Sequence, residues 1–519
     1  MTSRSDPPVV TNIPDQIIAE GESFATISLD DYVDDTDNSD SEIAWTTSGC
    51  GSLTVSINES RVATVNLPSP EWNGCDTITF TATDPTGNDV SDAARFTVTA
   101  INDAPGVYQI PNQMVYESFE FSPITLDSFV LDYDNSDDEI EWTFRGNVDL
   151  WVYIGPGHTA FITMPYLWTG QETITFTATD PSGLSGECSV RFTVNPVIHD
   201  PLIRDDWPVS TPDDQGLDFD AVHRTYLEAM RLDHLYSLLI IKNGYLIAER
   251  YFNGVTVDLA KPIASVTKSY TSALAGLALR EGHLTSLDDK MADFFPELDW
   301  ASADPRKSDI TLRQMLQMRS GYPYEDQAIW EILNDNWDNW CPLLVEMPLN
   351  SEPGTKFGYS CLTSHMLAVI VARAAETDLL SFARAFLLDP LECGEVIWPT
   401  DPQGYYLGHG DARVRPRDMA KLGLLFLNGG VYKGTQVIPA DWVSESMTAY
   451  SQDVYGGDIL EHMTNISYGY MWWTAEAGAH EVWMARGSCG QLIAIVPDLD
   501  MVVVTSAGII NIFDPDAWP

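Results

Sequence analysis

A segment of about 95 residues occurs twice in the first 200 residues of the chain, and this duplication limits the fold more than any other feature of the sequence. Residues 13–46 are repeated at 110–143, and Thr-Ile-Thr-Phe-Thr-Ala-Thr-Asp-Pro occurs at 77–85 and again at 173–181. The alternation in Thr-Ile-Thr-Phe-Thr predicts a strand with one buried face. A period of this length indicates two copies of one β-sandwich module, because the units of a solenoid are shorter.

The composition changes near residue 200. Residues 1–200 contain 32 acidic residues, five arginines and no lysine, whereas all eight lysines of the chain lie after residue 240. We therefore predict one β-sandwich at 1–104, a second at 105–200 and a different domain at 201–519. Apolar residues make up 44% of the chain, which is enough to form a sizeable core in each domain.

The formal net charge of the chain is −49 at pH 7. A polyanion of this kind does not bind nucleic acid or anionic lipid through bulk charge, so no nucleic-acid partner is expected. No run of about 18 apolar residues occurs, so no membrane insertion is expected either. The acid-rich composition favours an exported protein that is adapted to a saline environment.

Acidic motifs surround the end of the first module. The linker 101–105 is Ile-Asn-Asp-Ala-Pro, and Asp-x-Asp pairs and Ala-Thr-Asp turns occur in both modules. With these motifs the modules resemble the cadherin-like, immunoglobulin-like repeats of bacterial surface proteins. The resemblance implies Ca²⁺ at the junction, held by oxygen ligands from Asp84, Asn102, Asp103, Asp132 and Asp134. The alternative is that these side chains are solvated turn residues of an acid-rich protein.

The same resemblance implies a location and a kind of partner. It favours a secreted or cell-surface protein whose N-terminal modules contact a cell surface or an extracellular matrix. Residues 198–199 are Ile-His at the position where the first linker has Asn-Asp, so no complete calcium site is expected after the second module.

The sequence Ser265-Val-Thr-Lys268 begins an apolar segment that continues through 271–279 and is followed by Gly282, a residue that often ends helices. The spacing predicts that Ser265 lies at the start of a buried helix and that Lys268 lies one turn later on the same face. Burial is expected to lower the pKa of Lys268, so that a neutral amine removes the serine proton. The helix N-terminus favours the anion that develops during attack.

Four further segments follow in order along the chain. They are 310–321, 353–360, 401–423 and 468–491, and they include Tyr-Gly-Tyr-Met-Trp-Trp and Ala-Arg-Gly-Ser-Cys-Gly-Gln. Together with Ser-x-x-Lys they resemble the β-lactamase-related serine hydrolases, which include class C β-lactamases, DD-peptidases, family VIII esterases and 6-aminohexanoate-oligomer hydrolases. The resemblance covers about residues 205–515. It implies an α/β domain with an antiparallel sheet and a helical lobe.

The resemblance assigns roles to individual residues. Ser265 is similar to the acylated nucleophile, Lys268 to its base, and Tyr359 to the tyrosine that passes a proton to the leaving group. The backbone N–H groups of Ser265 and Ser488 are expected to form the oxyanion hole. No cofactor is implied for catalysis.

The sequence departs from the family pattern at two motifs. Cys361 stands where the family usually has asparagine, which weakens the expectation of β-lactam recognition. Arg486 and Gly487 occupy the third motif, where Arg486 either receives a substrate carboxylate or forms a surface ion pair. Tyr322 and Trp330 belong to an aromatic stretch that either walls the pocket or packs inside a helical lobe.

Seven cysteines are present and no Cys-x-x-Cys pair occurs, which argues against a structural zinc site. Cys50 with Cys75, and Cys361 with Cys489, are candidate disulfides, and buried free thiols are the alternative.

The favoured function is hydrolysis of a small-molecule ester or unstrained amide through an acyl-enzyme. A Gly-x-Ser-x-Gly motif is absent from the sequence, which argues against an α/β-hydrolase triad. One alternative is a β-lactamase or DD-peptidase, and the other is a surface adhesion protein with an inactive hydrolase domain.

Overall fold

The computed structural model describes residues 6–454 and 462–508. The chain divides into two compact units, Met1–Pro196 and Val197–Pro519. The outer limits predicted at residues 1 and 519 lie outside the described residues, and the predicted boundary between the two modules stays a prediction. Within the described ranges, none of the helices combines the length and apolar character needed to cross a bilayer.

The first unit contains two sandwiches of identical topology. The first sandwich comprises β1 (Val9–Val10), β2 (Gln16–Ala19), β3 (Ile27–Ser28), β4 (Val33–Asp34), β5 (Ala44–Ser48), β6 (Thr54–Ile57), β7 (Val62–Asn66), β8 (Gly74–Thr83) and β9 (Asp89–Thr99). The second comprises β10 (Gly106–Val107), β11 (Gln113–Tyr116), β12 (Ile124–Thr125), β13 (Val130–Leu131), β14 (Glu141–Arg145), β15 (Trp151–Gly155), β16 (Thr159–Thr163), β17 (Gly170–Thr179) and β18 (Ser185–Asn195). The sheet orders are β2-β9-β8-β5 and β3-β7-β6 in the first, and β11-β18-β17-β14 and β12-β16-β15 in the second.

Each sandwich has its own hydrophobic core. In β8 and β17 the apolar residues of the repeated nonapeptide point inward, and Phe80 and Phe176 are fully buried. An edge-to-face aromatic pair recurs in both cores, Phe24 with Phe96 at 5.2 Å and Phe121 with Phe192 at 5.1 Å between ring centroids. The predicted all-β class is therefore confirmed for this unit.

The second unit is built on a seven-stranded antiparallel sheet. Its strands are β19 (Leu235–Lys242), β20 (Tyr245–Tyr251), β25 (Thr464–Tyr468), β26 (Trp473–Ala477), β27 (His480–Gly487), β28 (Gln491–Val496) and β29 (Met501–Ala507), in the order β20-β19-β29-β28-β27-β26-β25. Asn243 and Gly244 join β19 to β20 with φ of 52° and 80°. Positive φ at both central residues is typical of the hairpin turn that the sequence predicts here.

Four short strands, nine α-helices and several short 3₁₀ and π turns complete the described part of this unit. The strands are β21 (Lys261–Pro262), β22 (Arg413–Val414), β23 (Val431–Tyr432) and β24 (Thr435–Gln436). The helices are α1 (Phe219–Ala229), α2 (Val266–Arg280), α3 (Leu312–Leu316), α4 (Gln327–Asp335), α5 (Leu343–Glu346), α6 (Cys361–Ala374), α7 (Leu379–Ala383), α8 (Pro416–Leu427) and α9 (Ala440–Ser446). Helix α2 packs against α6 and β27, and α8 packs against β28 and β29. The predicted α/β domain with an antiparallel sheet and helical lobe is confirmed.

Candidate functional site

Ser265 is the N-terminal cap of α2, and Lys268 lies on the first turn of that helix. The Ser265 side chain makes no capping hydrogen bond, so its hydroxyl is left for other partners. Ala264, immediately before it, has a φ of 45°, which is strained backbone that turns the chain sharply into the helix. Lys268 Nζ donates to Ser265 Oγ at 2.9 Å. The local spacing thus brings the two side chains into contact, as the sequence predicts.

Three acceptors surround the Lys268 ammonium. Besides Ser265 Oγ, Nζ donates to Cys361 Sγ at 3.2 Å and to the His409 carbonyl at 2.7 Å. Because an ammonium has three N–H donors, these contacts satisfy all of them. The Lys268 side chain is only 1% exposed.

The expected depression of the Lys268 pKa is wrong. Burial does oppose the charged form, but the electrostatic influence of Cys361, Tyr359 and Glu325 outweighs it, and the pKa of Lys268 lies above its usual value. Burial also raises the pKa of both Cys361 and Tyr359, so near pH 7 these two groups are neutral and the Glu325 carboxylate is the charge that favours the ammonium. Together with the three acceptors around Nζ, this carboxylate favours a lysine ammonium over a free amine in the resting site.

Tyr359 completes the group of three side chains. Its ring centroid lies 4.8 Å from Lys268 Nζ. Desolvation raises the Tyr359 pKa, and the nearby Lys268 charge opposes that rise. The ring also packs at a tilt against Trp473, with centroids 5.6 Å apart. Tyr359 therefore lies between Trp473 and the lysine.

The end of β27 lies directly against the turn that precedes Ser265. A Cβ at Gly487 would be 2.6 Å from the Ile263 carbonyl oxygen and 3.0 Å from Ala264 Cβ. Only glycine permits this approach, which brings the next residue, Ser488, to the nucleophile's end of α2. The role of the Ser265 and Ser488 N–H groups as an oxyanion hole stays a prediction.

Glu325 also belongs to the site, although no sequence motif indicates it. Its carboxylate accepts the Cys361 N–H at 2.6 Å and the Cys361 thiol at 3.2 Å. Its own N–H donates to the Tyr359 carbonyl at 2.8 Å. The carboxylate thus lies at the N-terminus of α6, where the helix dipole favours an anion.

The two aromatic residues predicted to bind substrate, Tyr322 and Trp330, both pack against the hydrophobic core. Tyr322 is 3% exposed, and its hydroxyl donates to the Leu344 carbonyl at 2.6 Å. Tyr322 therefore belongs to the interior of the helical lobe, and the prediction that it lines the pocket is wrong. Trp330 lies on α4, is half-buried and packs against the main core, so its proposed contact with substrate stays a prediction.

Arg486 lies beside the aromatic residues of the site. Its guanidinium carbon is 5.8 Å from the centroid of Trp473, the ring that packs against Tyr359. Two roles were predicted for Arg486, a contact with a substrate carboxylate and a surface ion pair, and both stay predictions. A half-buried guanidinium of this kind is suited to a planar carboxylate.

A buried histidine pair supports the loop that holds Lys268. His365 Nε2 contacts Asp401 Oδ2 at 3.1 Å, and His365 Nδ1 accepts the Gly408 N–H at 3.2 Å. The next residue, His409, supplies the carbonyl that accepts from Lys268. Desolvation and the nearby His365 and Lys268 lower the His409 pKa well below its usual value. His365 and Asp401 are therefore positioning residues for this loop.

None of the seven cysteines, all of which lie within the described ranges, takes part in a disulfide, so both candidate disulfides are wrong. Cys50 and Cys75 are exposed, whereas Cys361 and Cys489 are buried. Cys361 is engaged by Lys268 and Glu325, which explains why it is not available to Cys489.

The junction between the two sandwiches brings most of the predicted calcium ligands together. Asn102 Nδ2 donates to Asp180 Oδ2 at 2.5 Å, and the Asp103 N–H donates to Asp134 Oδ2 at 2.8 Å. Asp132 accepts the Asp134 N–H and keeps its other oxygen buried without a partner.

Asp84 does not belong to this junction. Its carboxylate accepts from Thr86 and Asn88 within its own turn, and Asp180, its counterpart in the second copy, is the residue beside Asn102. Across the described residues, no group of three or more histidine, cysteine, aspartate or glutamate side chains is arranged to hold a metal ion. The expected five-ligand site is therefore not formed as predicted.

With this geometry in hand, the family can be assigned. The sequence model of the family described as beta-lactamase matches residues 236–507, which is more than half of the chain. The chain belongs to the β-lactamase family. The model described as bacterial Ig domain matches residues 5–99, so the first sandwich is an immunoglobulin-like domain. This β-lactamase-family protein is accordingly a hydrolase preceded by immunoglobulin-like structure.

Several relatives are similar to the hydrolase unit. The 6-aminohexanoate-dimer hydrolase of Paenarthrobacter ureafaciens is 23% identical over 280 residues, which cover 52% of this chain and 71% of that protein. Beta-lactamase-like protein 2 of Dictyostelium discoideum is 24% identical over 229 residues, covering 38% of this chain and 40% of that protein. The octameric penicillin-binding protein homologue from Pyrococcus abyssi is 18% identical with a TM-score of 0.46, covering 58% and 75% of the two chains.

Proposed function

We propose that this protein is a serine hydrolase that cleaves esters or unstrained amides through an acyl-enzyme formed on Ser265. The observation that carries the proposal is the 2.9 Å hydrogen bond from Lys268 Nζ to the Ser265 hydroxyl, with the Tyr359 ring centroid 4.8 Å from the same Nζ. A nucleophile beside a lysine and a tyrosine that can exchange protons with it is suited to covalent acyl transfer. The burial of Lys268 against this serine argues against an inactive domain, because burying a lysine is costly.

The steps follow from these contacts. Ser265 Oγ attacks the carbonyl carbon of the substrate, and its proton passes to Lys268. Tyr359, which lies beside Lys268, delivers a proton to the leaving alcohol or amine and regains one from Lys268. Water then attacks the ester carbon of the acyl-enzyme, and cleavage of that ester returns the serine hydroxyl. The N–H groups of Ser265 and Ser488 are proposed to stabilise the tetrahedral oxyanion.

The substrate we favour is a linear acyl compound, and an oligomer of an ω-amino acid is one example that the name of the Paenarthrobacter relative suggests. Cys361 replaces the amide that the family uses at motif two, and a thiol in contact with Glu325 cannot make the same hydrogen bonds to a β-lactam. Arg486, above Trp473, is proposed to bind a carboxylate at the far end of the substrate. A β-lactamase or DD-peptidase is the second candidate.

A fluorophosphonate probe and a substrate panel test the proposal. The full chain is expected to be labelled on the peptide that contains Ser265, and heat-denatured protein is expected to remain unlabelled. Rates on p-nitrophenyl butyrate and on a 6-aminohexanoate dimer are expected to exceed the rate on nitrocefin. Turnover of nitrocefin above that of both other substrates would favour the β-lactamase alternative, and an unlabelled Ser265 would favour the adhesion protein.

We further propose that the chain is exported and displayed at a cell surface or matrix. The immunoglobulin-like domain and the acid-rich first unit support this location. The outer face of β15 and β16 supplies a surface for contact, because it exposes Trp151, Tyr153 and Phe161. The matching positions of the first sandwich carry small polar residues, so the second sandwich has acquired this aromatic face on its own.

Calcium binding at the junction remains a proposal, with Asn102, Asp103, Asp132, Asp134 and Asp180 as the residues that would hold the ion. The unpartnered buried oxygen of Asp132 supports it, since buried polar atoms normally have partners. Chelation with EDTA is expected to lower one calorimetric transition of the full chain by about 10 °C, given about 2.7 kcal/mol of stabilisation at saturating ion. The transition that coincides with loss of esterase activity serves as the internal control and should not move. Identical scans with and without chelator would remove the calcium proposal.

A further inference from the structure

The contacts of Lys268 continue beyond the serine into a second buried chain of groups. Lys268 Nζ donates to Cys361 Sγ at 3.2 Å, and the Cys361 thiol donates to Glu325 Oε1 at 3.2 Å. The donors and acceptors are already oriented in one direction, from the ammonium through the thiol to the carboxylate. Cys361 is 4% exposed, so water does not compete freely for these contacts.

We propose that Glu325 and Cys361 form a proton relay that converts the resting Lys268 ammonium into the amine that activates Ser265. Lys268 gives one proton to Cys361 Sγ while the thiol gives its own proton to Glu325 Oε1. The product is a neutral lysine, a thiol and a carboxylic acid, with no net change in charge or in the number of protons. Rotation about the Cε–Nζ bond then presents the lysine lone pair to Ser265 Oγ. This inference rests on the proposed acyl transfer at Ser265.

The relay explains how a neutral amine forms at Lys268 although its surroundings favour the ammonium. The ammonium is saturated by three acceptors and its pKa lies above the usual value, so loss of a proton to solvent would leave little free amine near pH 7. Transfer within the site avoids this cost, because a buried ion pair gains by becoming a pair of neutral groups in a medium of low dielectric constant. Of the three hydrogen-bond partners of Nζ, Cys361 is the one that leads on to a carboxylate, because the His409 partner is a backbone carbonyl and Ser265 is the nucleophile.

After the leaving group has received its proton by way of Tyr359, Glu325 returns its proton through Cys361 to Lys268. The cycle thus restores the ammonium, the thiol and the carboxylate. Glu325 and Cys361 do not contact the reacting atoms in this scheme, and they act only through Lys268.

The identity of residue 361 gives a sharp test. A hydroxyl both accepts and donates a proton, so C361S keeps the relay, whereas an amide side chain keeps the polar contacts but carries no proton across. We expect kcat on p-nitrophenyl butyrate to stay within about tenfold of wild type in C361S and to fall about 100-fold in C361N. C361N also restores the usual family residue, so a purely structural role would predict that it is at least as active as C361S.

Glu325→Gln tests the far end of the relay. Glutamine still accepts the Cys361 N–H, so α6 keeps this contact, but it takes up no proton. We expect kcat to fall about 100-fold at pH 7. Lys268 would then form an amine only by losing a proton to solvent, so kcat should rise with pH until the pH reaches the Lys268 pKa of the variant, which the loss of the Glu325 charge lowers. The wild type should show no such rise.

The experiment compares wild type, E325Q, C361S and C361N of the full chain, with the S265A rate subtracted and the melting temperature of each variant recorded. Any of three results would overturn the relay. The first is wild-type activity in C361N, and the second is a loss of activity in C361S equal to that in C361N. The third is an E325Q variant that is faster than wild type at pH 7. Fluorophosphonate labelling separates this result from the proposed function. Labelled Ser265 with unchanged kcat in all variants removes the relay alone, whereas unlabelled Ser265 in the wild type removes both.

Discussion

Replacing Ser265 with alanine is expected to reduce ester hydrolysis by about 10⁴-fold, and Lys268→Met is expected to reduce it to nearly the same level. The two residues act as one unit, because the serine is a useful nucleophile only when Lys268, 2.9 Å away, removes its proton. The double variant should therefore be no slower than the single variants. Steady-state rates on p-nitrophenyl butyrate measure all three.

Folding of these variants needs its own control. Lys268 is buried, and methionine leaves the Cys361 thiol and the His409 carbonyl without their donor, so some loss of stability is expected. Ser265→Ala removes no helix cap and should melt like wild type. A Ser265→Ala protein that retains more than a tenth of wild-type activity would contradict the assignment of the nucleophile.

The second large effect concerns stability at a buried ion cluster between α8 and β20. Arg417 on α8 is 1% exposed, and it binds both oxygens of Glu249 on β20 at 2.6 and 2.8 Å. It also donates to Asp206 at 2.6 Å and to the Leu202 carbonyl at 2.7 Å. Although burial opposes its charge, Glu249 and Asp206 raise the Arg417 pKa above its usual value. One side chain therefore joins a helix, a strand and the segment that precedes the sheet.

Arg417→Met is expected to lower the free energy of unfolding of the hydrolase unit by about 3–5 kcal/mol, because it leaves Glu249 buried without its partner. Glu249→Gln should cost less than this, since Gln still accepts hydrogen bonds. Calorimetry of the full chain, with thermal inactivation of esterase activity as a second measure, gives the shift.

The exposed pair Arg145–Glu187 provides the matched control for this cluster. Its side chains are 66% and 55% exposed, so Arg145→Met should change stability by less than about 1 kcal/mol. If Arg145→Met and Arg417→Met lowered the free energy of unfolding equally, burial would not be the reason for the effect of Arg417→Met.

Local spacing allowed much of the catalytic unit to be predicted. The Asn-Gly hairpin, the helix that begins after Ser265 and the contact of Lys268 with Ser265 all depend on residues within one turn of one another. The duplicated strands of the first unit were predicted for the same reason, because alternation along a strand is a local property.

The failures of prediction have a common cause, since each depends on partners distant in sequence. The Tyr322 hydroxyl points inward to the Leu344 carbonyl, and the groups that influence the charge on Lys268 come from two separate segments, around residues 325 and 359–361. Glu325 lies in a loop without a motif, and only the packing of that loop on the N-terminus of α6 makes it part of the site.

By itself the sequence determined that this chain carries two copies of a β-sandwich and a helix with serine and lysine on one face. Both features depend on the spacing of residues that are close together in the sequence. Only the tertiary structure decided that the lysine is charged, that a thiol and a carboxylate continue its hydrogen bonds, and that Asp180 rather than Asp84 meets Asn102. The physical reason is that protonation and pairing depend on which groups share a buried volume, and the chain brings those groups together from positions up to 141 residues apart.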